Sequence, residues 1–163
     1  MSNWKKNSSS SDPQPPNLGG LEDYILTHIE PEPEYLYKLW RATNIHMLHG
    51  RMASGHLQGR LLKMLVQMIR PKRILEVGTF SGYSALCMAE GLEEGGKVYT
   101  FEINDEQEDF TRPWIEGSPM ADKVEFIIGD RQMSRQVSRG SAGEYQADEQ
   151  AGVAWLRWRV SGI

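Results

Sequence analysis

Glu76, Gly78, Gly82 and Glu102 are the residues of this 163-residue chain whose types and spacing point most directly to chemistry. Glu76-Val77-Gly78-Thr79-Phe80-Ser81-Gly82-Tyr83-Ser84 follows a short apolar run, Arg73 to Val77. Gly78 permits a tight turn and lets a ligand approach backbone that a Cβ would shield. Gly82 lets the next helix start against a sheet. Glu102 lies 24 residues after Gly78, at the end of a second apolar run, Lys97 to Glu102. A carboxylate at such a strand tip can accept both hydroxyls of a ribose.

Glu76 narrows the ligand. A dinucleotide loop holds a pyrophosphate on a helix N-terminus with G-x-G-x-x-G. Here the glycines are spaced G-x-x-x-G, and a carboxylate two residues upstream would repel a pyrophosphate. That charge suits a ligand whose amino-acid end is cationic. S-adenosylmethionine offers an ammonium, a sulfonium and a ribose for Glu102. A nicotinamide-dependent oxidoreductase is the disfavoured alternative.

The elements that must position these residues are legible from periodicity. Leu21 to Ile29 reads as a short helix stopped by Pro31 and Pro33. Leu36, Leu39, Trp40, Thr43 and Met47 recur at helical spacing. Ser54 is an expected N-cap for a third helix, whose buried face is expected to be Leu57, Leu61, Met64, Leu65 and Met68. After strand 73–77, Ala85, Met88, Ala89 and Leu92 form a helix face closed by Gly95 and Gly96. Strand 97–102 precedes a helix capped by Asp105 with Glu108 and running to Pro113 or a little beyond. Val124 to Ile128 is a third strand, ending at Gly129 and Asp130. The order βαβαβ with short links predicts a parallel sheet, one half of a doubly wound α/β fold. Ligands of such sheets bind outside the carboxyl ends of the strands. With three strands only, the first would have one edge open to pairing or aggregation, which makes a non-catalytic fragment or interaction module another alternative.

Composition changes at both ends. Residues 1–20 hold Ser8 to Ser11, Pro13, Pro15, Pro16, Gly19 and Gly20 and too little apolar surface to offset ordering, so they read as a disordered tail or a cloning remnant. Residues 21–130 read as the domain. Up to Asp130 there are 7 Lys and 6 Arg; residues 131–163 have 5 Arg and no Lys. Strand-like alternation stops at Asp130. The last segment reads either as a weakly apolar stretch with one short helix near Val153–Trp158, or as a change of coding frame, the reading preferred because the element order stops in mid-domain.

Basic residues number 18 against 22 acidic, so a nucleic-acid partner is not expected, despite Trp155 and Trp158 beside Arg157 and Arg159. No apolar run approaches the roughly 20 residues that span a bilayer. One cysteine, Cys87, excludes an internal disulfide and a cysteine zinc cluster. With no apolar leader at the start, a cytoplasmic location is expected. Cys87 reads as a small buried thiol rather than a nucleophile, and Met64/Met68 as core. His46 and His49, with His56 nearby, could share a metal, but no third ligand is evident, and solvated histidines are the simpler reading.

From about Arg51 to Asp130 the chain resembles the small S-adenosylmethionine-dependent O-methyltransferases of the catechol and caffeoyl-CoA type. The matching pieces are Met52-Ala53-Ser54 with Gln58-Gly59-Arg60-Leu61-Leu62, then Ile74 to Leu86, Phe101-Glu102-Ile103-Asn104 and Ile128-Gly129-Asp130. The resemblance implies a Rossmann-like methyltransferase fold with N-terminal helices and an incomplete C-terminal half. It also implies methyl transfer from S-adenosyl-L-methionine to a hydroxyl of a small, catechol-like substrate. Carried over, Glu76, Gly78, Thr79, Phe80 and Gly82 form the loop at the methionine end. Ser84 caps the helix and binds the carboxylate, and Glu102 takes the ribose. Ser54 and Met52 come from the segment closing over the cofactor. Dimers are common in the family, so a homodimer is among the expected states. Family members continue past Gly-Asp into strands whose carboxylates and amide hold magnesium, and whose lysine is a candidate base. Those motifs are not found after Asp130, so no catalytic or metal-ligating residue is assigned, and this chain is expected to bind cofactor weakly and to show no transfer.

Overall fold

The computed structural model describes residues 19–129 and the strand 153–157. Nine main elements run in chain order: α1 (Gly19–His28), α2 (Glu34–His46), α3 (His56–Ile69), β1 (Arg73–Val77), α4 (Tyr83–Gly91), β2 (Lys97–Glu102), α5 (Glu108–Glu116), β3 (Val124–Ile128) and β4 (Val153–Arg157). The strands form one parallel sheet in the order β3-β2-β1-β4. The βαβαβ reading therefore holds for the first three strands. The expectations for residues 1–18, for Asp130 and for the segment 131–163 outside 153–157 lie outside the described residues.

Two expectations fail at the far end. Residues 153–157 are a strand, not a helix, and it pairs with β1 in parallel, Leu75 opposite Trp155. That pairing also covers the edge of β1 that three strands alone would leave open. Five residues are too few for helical and strand patterns to be told apart without knowing the pairing partner.

Alternation along the strands divides the sheet into two faces. Ile74, Val98, Val124 and Phe126 point toward α4 and belong to the main core, with Leu36 and Leu39 of α2 and Leu62 and Val66 of α3. α4 is apolar nearly all round and buried along its length, as befits a helix enclosed between sheet and helices.

α3 turns the other way from the expected one. Its buried residues are Gly59, Arg60, Leu62 and Val66, while Leu61, Met64 and Met68 are exposed, Met68 by 72%. Gly59 explains the choice, since an added Cβ would come within 2.6 Å of Cys87 Sγ. The small residue lets α3 close onto α4. Arg60 is tolerated in that contact because its guanidinium meets Glu90 at 2.5 Å and Glu30 at 3.2 Å, and Lys63 joins the same two carboxylates. Paired charges can be buried where isolated ones cannot. Among the described residues, no helix is long and apolar enough to cross a membrane.

Candidate functional site

The carboxyl tips of β1 and β2 form one wall of a cavity of about 210 Å³. The β1–α4 loop supplies Gly78, Thr79, Phe80 and Ser81, α4 supplies Tyr83 and Ser84, and β2 ends in Glu102. The segment before α3 adds Met52, Ala53 and Ser54 from the opposite side, and Gln58 and Gln107 complete the lining. Seven of the nine expected site residues thus share one cavity: Met52, Ser54, Gly78, Thr79, Phe80, Ser84 and Glu102. Glu76 and Gly82 lie behind its wall.

The loop is held by a dense set of bonds. Gly78 and Thr79 both donate backbone N–H to Phe101 O, at 2.8 and 3.2 Å. Phe80 sits at φ +51°, a left-handed conformation that a side chain adopts only under constraint. Two side chains impose it. Phe80 N donates to Glu102 Oε2 at 2.8 Å, and Phe80 O accepts from Thr111 Oγ1 at 2.6 Å. Gly82 follows at φ +82°, and an added Cβ would lie 3.1 Å from Ile115 Cδ1. α4 starts at Gly82, as expected, and the bare Cα also admits Ile115 of α5.

Glu76 is fully buried, with 0% exposure. Register places Glu76 opposite Thr100, on the same face as Glu102. Ser84 Oγ donates to Glu76 Oε1 at 2.5 Å, and Thr100 Oγ1 donates to Oε2 at 2.6 Å. Thr79 Oγ1 lies 2.7 Å from Thr100 Oγ1. Thr100 gives its one proton to Glu76, so Thr79 donates to Thr100. Two cavity-lining hydroxyls, Ser84 and Thr79, are thereby oriented by a carboxylate that does not itself line the cavity. Burial pushes the Glu76 carboxyl up to about 7, against the pull of the Ser84 and Thr100 hydroxyls, and the nearby Glu102 charge adds to the rise.

Glu102 is 8% exposed. Besides Phe80, it accepts from Ile103 N at 2.9 Å and Asn104 N at 3.1 Å, both through Oε1. It is therefore both part of the cavity wall and the brace of the loop opposite.

Three local expectations are corrected. The residue preceding α3 is Gly55, with no side-chain cap, so Ser54 is free to line the cavity instead. Ser84 does not cap α4, because its hydroxyl is turned to Glu76. Asp105 does not cap α5, which starts after Gln107 without a side-chain cap; Asn104 Oδ1 accepts from Glu106 N at the head of the preceding turn, Asp105–Gln107. Cys87 is the buried thiol anticipated from sequence, and burial pushes it up to about 12, far from a ready nucleophile. Among the described residues, His46, His49 and His56 belong to no group of three or more metal-ligating side chains, and nor does any other set.

Ser81, Gln107 and Thr111 carry no motif of their own, and sequence reasoning missed them. Thr111 is 0% exposed. Its hydroxyl matters only because α5 happens to lie under Phe80. Thr111→Val is expected to leave Phe80 O without a partner, destabilise the fold by about 1–3 kcal/mol and loosen the loop. Thr111→Ser should restore most of the loss, and urea unfolding of the three proteins measures it.

Relatives have the same organisation. The O-methyltransferase family model matches residues 27–146. Caffeoyl-CoA O-methyltransferase 2 of Petunia hybrida is 37% identical over 111 residues, 67% of this chain and 46% of the relative. Tricin synthase 1 of rice, Oryza sativa subsp. japonica, is 39% identical over 111 residues, 67% of this chain and 44% of its own. Among solved structures, an O-methyltransferase of Bacillus cereus in complex with SAH is 30% identical, with a TM-score of 0.67 over 74% of this chain and 55% of that one. An SAH-bound methyltransferase of Podospora anserina is 25% identical, with a TM-score of 0.68 over 78% of this chain and 56% of that one. The chain spans about half the length of these relatives. Since the family match runs from α1 through all of β1 to β3 and takes in the braced glycine loop, this chain belongs to the O-methyltransferase family.

Proposed function

We propose that the cavity binds S-adenosyl-L-methionine and that the protein is an O-methyltransferase acting on a hydroxyl of a small, catechol-like molecule. The observation that carries the reading is Glu102, held by three backbone N–H groups at the edge of a cavity whose other wall is the glycine loop. The residues fit the cofactor. A Cβ built at Gly78 would meet nothing within 4 Å, so ligand atoms can occupy that space against the backbone.

When bound, the cofactor supplies an electrophilic methyl group on a sulfonium. The chain's residues hold it. Glu102 accepts from the ribose. Ser84 and Thr79, oriented through Glu76 and Thr100, present polar atoms to the amino-acid end. Glu76 supplies buried negative charge behind them, favourable to an ammonium and a sulfonium. Met52 and Ser54 cover the cavity from the segment before α3 and limit water access. Their contribution is positioning, which alone can supply a large part of a transfer barrier. No step is assigned to magnesium or a general base.

Calorimetry with S-adenosylhomocysteine tests the reading. Saturable binding is expected, with none for NADH. NADH binding without S-adenosylhomocysteine binding would replace the methyl-donor reading with the oxidoreductase one.

We propose a homodimer as well, supported by the apolar residues Leu61, Met64 and Met68 that α3 leaves in solvent. Light scattering at micromolar concentration should give twice the chain mass, and a chain mass throughout would exclude it. A cytoplasmic location accords with the single, buried cysteine.

A further inference from the structure

A second and larger cavity, of about 700 Å³, opens between α1, α2 and the start of α3. Leu26, Tyr37, Trp40 and Leu57 give it apolar walls, with Tyr37 46% and Trp40 38% exposed. Tyr37 and Trp40 stand three residues apart on α2 and so share one side of that helix. Apolar side chains left in solvent around a concavity of this size are the mark of a ligand site.

The charge in its lining has one sign. Glu22 and Glu32 are there, and no lysine or arginine is. Glu32 stands between two glutamates that are paired. Glu30 is matched by Arg60 and Lys63, and Glu34 by Lys38. Glu32, half-buried, has no cationic partner among the described residues. Its Oε1 accepts from the Tyr83 hydroxyl, which leaves Oε2 for another donor. A half-buried carboxylate beside aromatic rings is complementary to an ammonium group. The carboxylate offers it a charge-assisted hydrogen bond, and the ring faces offer a cation–π contact.

We propose that this cavity binds an organic ammonium with an aromatic or apolar body, its charge on Glu32 and its body against Tyr37, Trp40 and Leu57. Glu22 adds to the attraction from α1. The site adjoins the cavity at the glycine loop without being part of it. Gln58 lines both, and Tyr83, in the wall of the first, holds Glu32 in the wall of the second. Each cavity therefore fills with the other occupied.

The test titrates phenethylammonium, its neutral analogue 2-phenylethanol and the anion phenylacetate into the wild-type chain and into Glu32→Gln, with and without S-adenosylhomocysteine. Phenethylammonium should saturate one site per chain, and the alcohol should bind about tenfold more weakly, the loss of one charge-assisted hydrogen bond. Phenylacetate should be weaker than the alcohol. Glu32→Gln keeps an oxygen for Tyr83, so it should lower the ammonium to the alcohol's affinity and leave the alcohol unchanged. The wild-type series stands even if the variant folds poorly. No binding, equal affinity for ammonium and alcohol, full ammonium affinity in the variant, or displacement of the ammonium by S-adenosylhomocysteine would each overturn the site. So would a fall from twice the chain mass to once when phenethylammonium is added, because a second copy would then be the occupant. None of these results touches the methyl-donor reading, which S-adenosylhomocysteine binding decides by itself.

Discussion

Glu76→Gln is expected to be the more stable protein at pH 8 and to lose the pH dependence that the wild type shows between about pH 4.5 and 7. In the unfolded chain the Glu76 carboxyl titrates near its ordinary 4.5; in the folded chain burial raises it to about 7. Between those values the folded state holds a proton that the unfolded state has released. The unfolded state binds fewer protons there, so stability falls as pH rises. The contribution is fully present below about 4.5 and gone above about 7. At 1.36 kcal/mol per unit, the difference is on the order of 3 kcal/mol. Glutamine keeps the shape and can still accept from one hydroxyl, but it has no charge to desolvate. Urea unfolding at pH 5, 6, 7 and 8 compares the two proteins, and parallel profiles would show that the Glu76 carboxyl does not titrate in this range. A second readout follows from the proposed cofactor. A cationic ligand favours the charged carboxylate, so S-adenosylmethionine affinity should rise with pH through 7 in the wild type and stay level in the variant.

Glu102→Ala should reduce S-adenosylhomocysteine affinity by about a hundredfold, from two charge-assisted hydrogen-bond functions lost together. One is the acceptor for the ribose. The other is the brace on Phe80 N, without which the left-handed Phe80 has only Thr111 to hold it. Backbone strain at a ligand loop persists only where neighbours impose it. Glu102→Gln isolates the parts, because its one amide oxygen can still accept from Phe80 N and a ribose hydroxyl while its amide nitrogen, a donor, replaces the oxygen that accepts from Ile103 N and Asn104 N. It should fall between wild type and Glu102→Ala in calorimetry. Identical affinities in all three would remove Glu102 from the cofactor site.

The loop and its two strands were readable because every feature that makes them is local. Arg73 to Val77 is an apolar run, Gly78 and Gly82 mark obligatory turns, and Glu102 ends the next run. The α3 face was misread for the opposite reason. Leu57, Leu61, Met64, Leu65 and Met68 form as good an apolar stripe as Leu62 and Val66 do. The choice between them fell to the close approach of Gly59 to Cys87 and to the carboxylates that pair with Arg60, 30 residues away on either side. Val153–Arg157 was misread because a strand of five residues is defined by its neighbour, here β1.

The amino-acid sequence alone determined that the chain is α/β, that a glycine loop links β1 to α4, and that two carboxylates stand at or next to the ends of adjacent strands. These follow from periodicity, glycine spacing and the family resemblance of one contiguous block. Only the tertiary structure decided that Glu76 lies beneath the cavity, reaching it through Ser84 and Thr79, while Glu102 stands in its wall. It alone showed that Thr111 holds the loop from below and that Gln107 is among the residues lining the cavity. Hydrogen-bond partnership explains the division: each oxygen has few lone pairs, and which donors reach them depends on elements brought together across 20 to 30 residues of intervening chain.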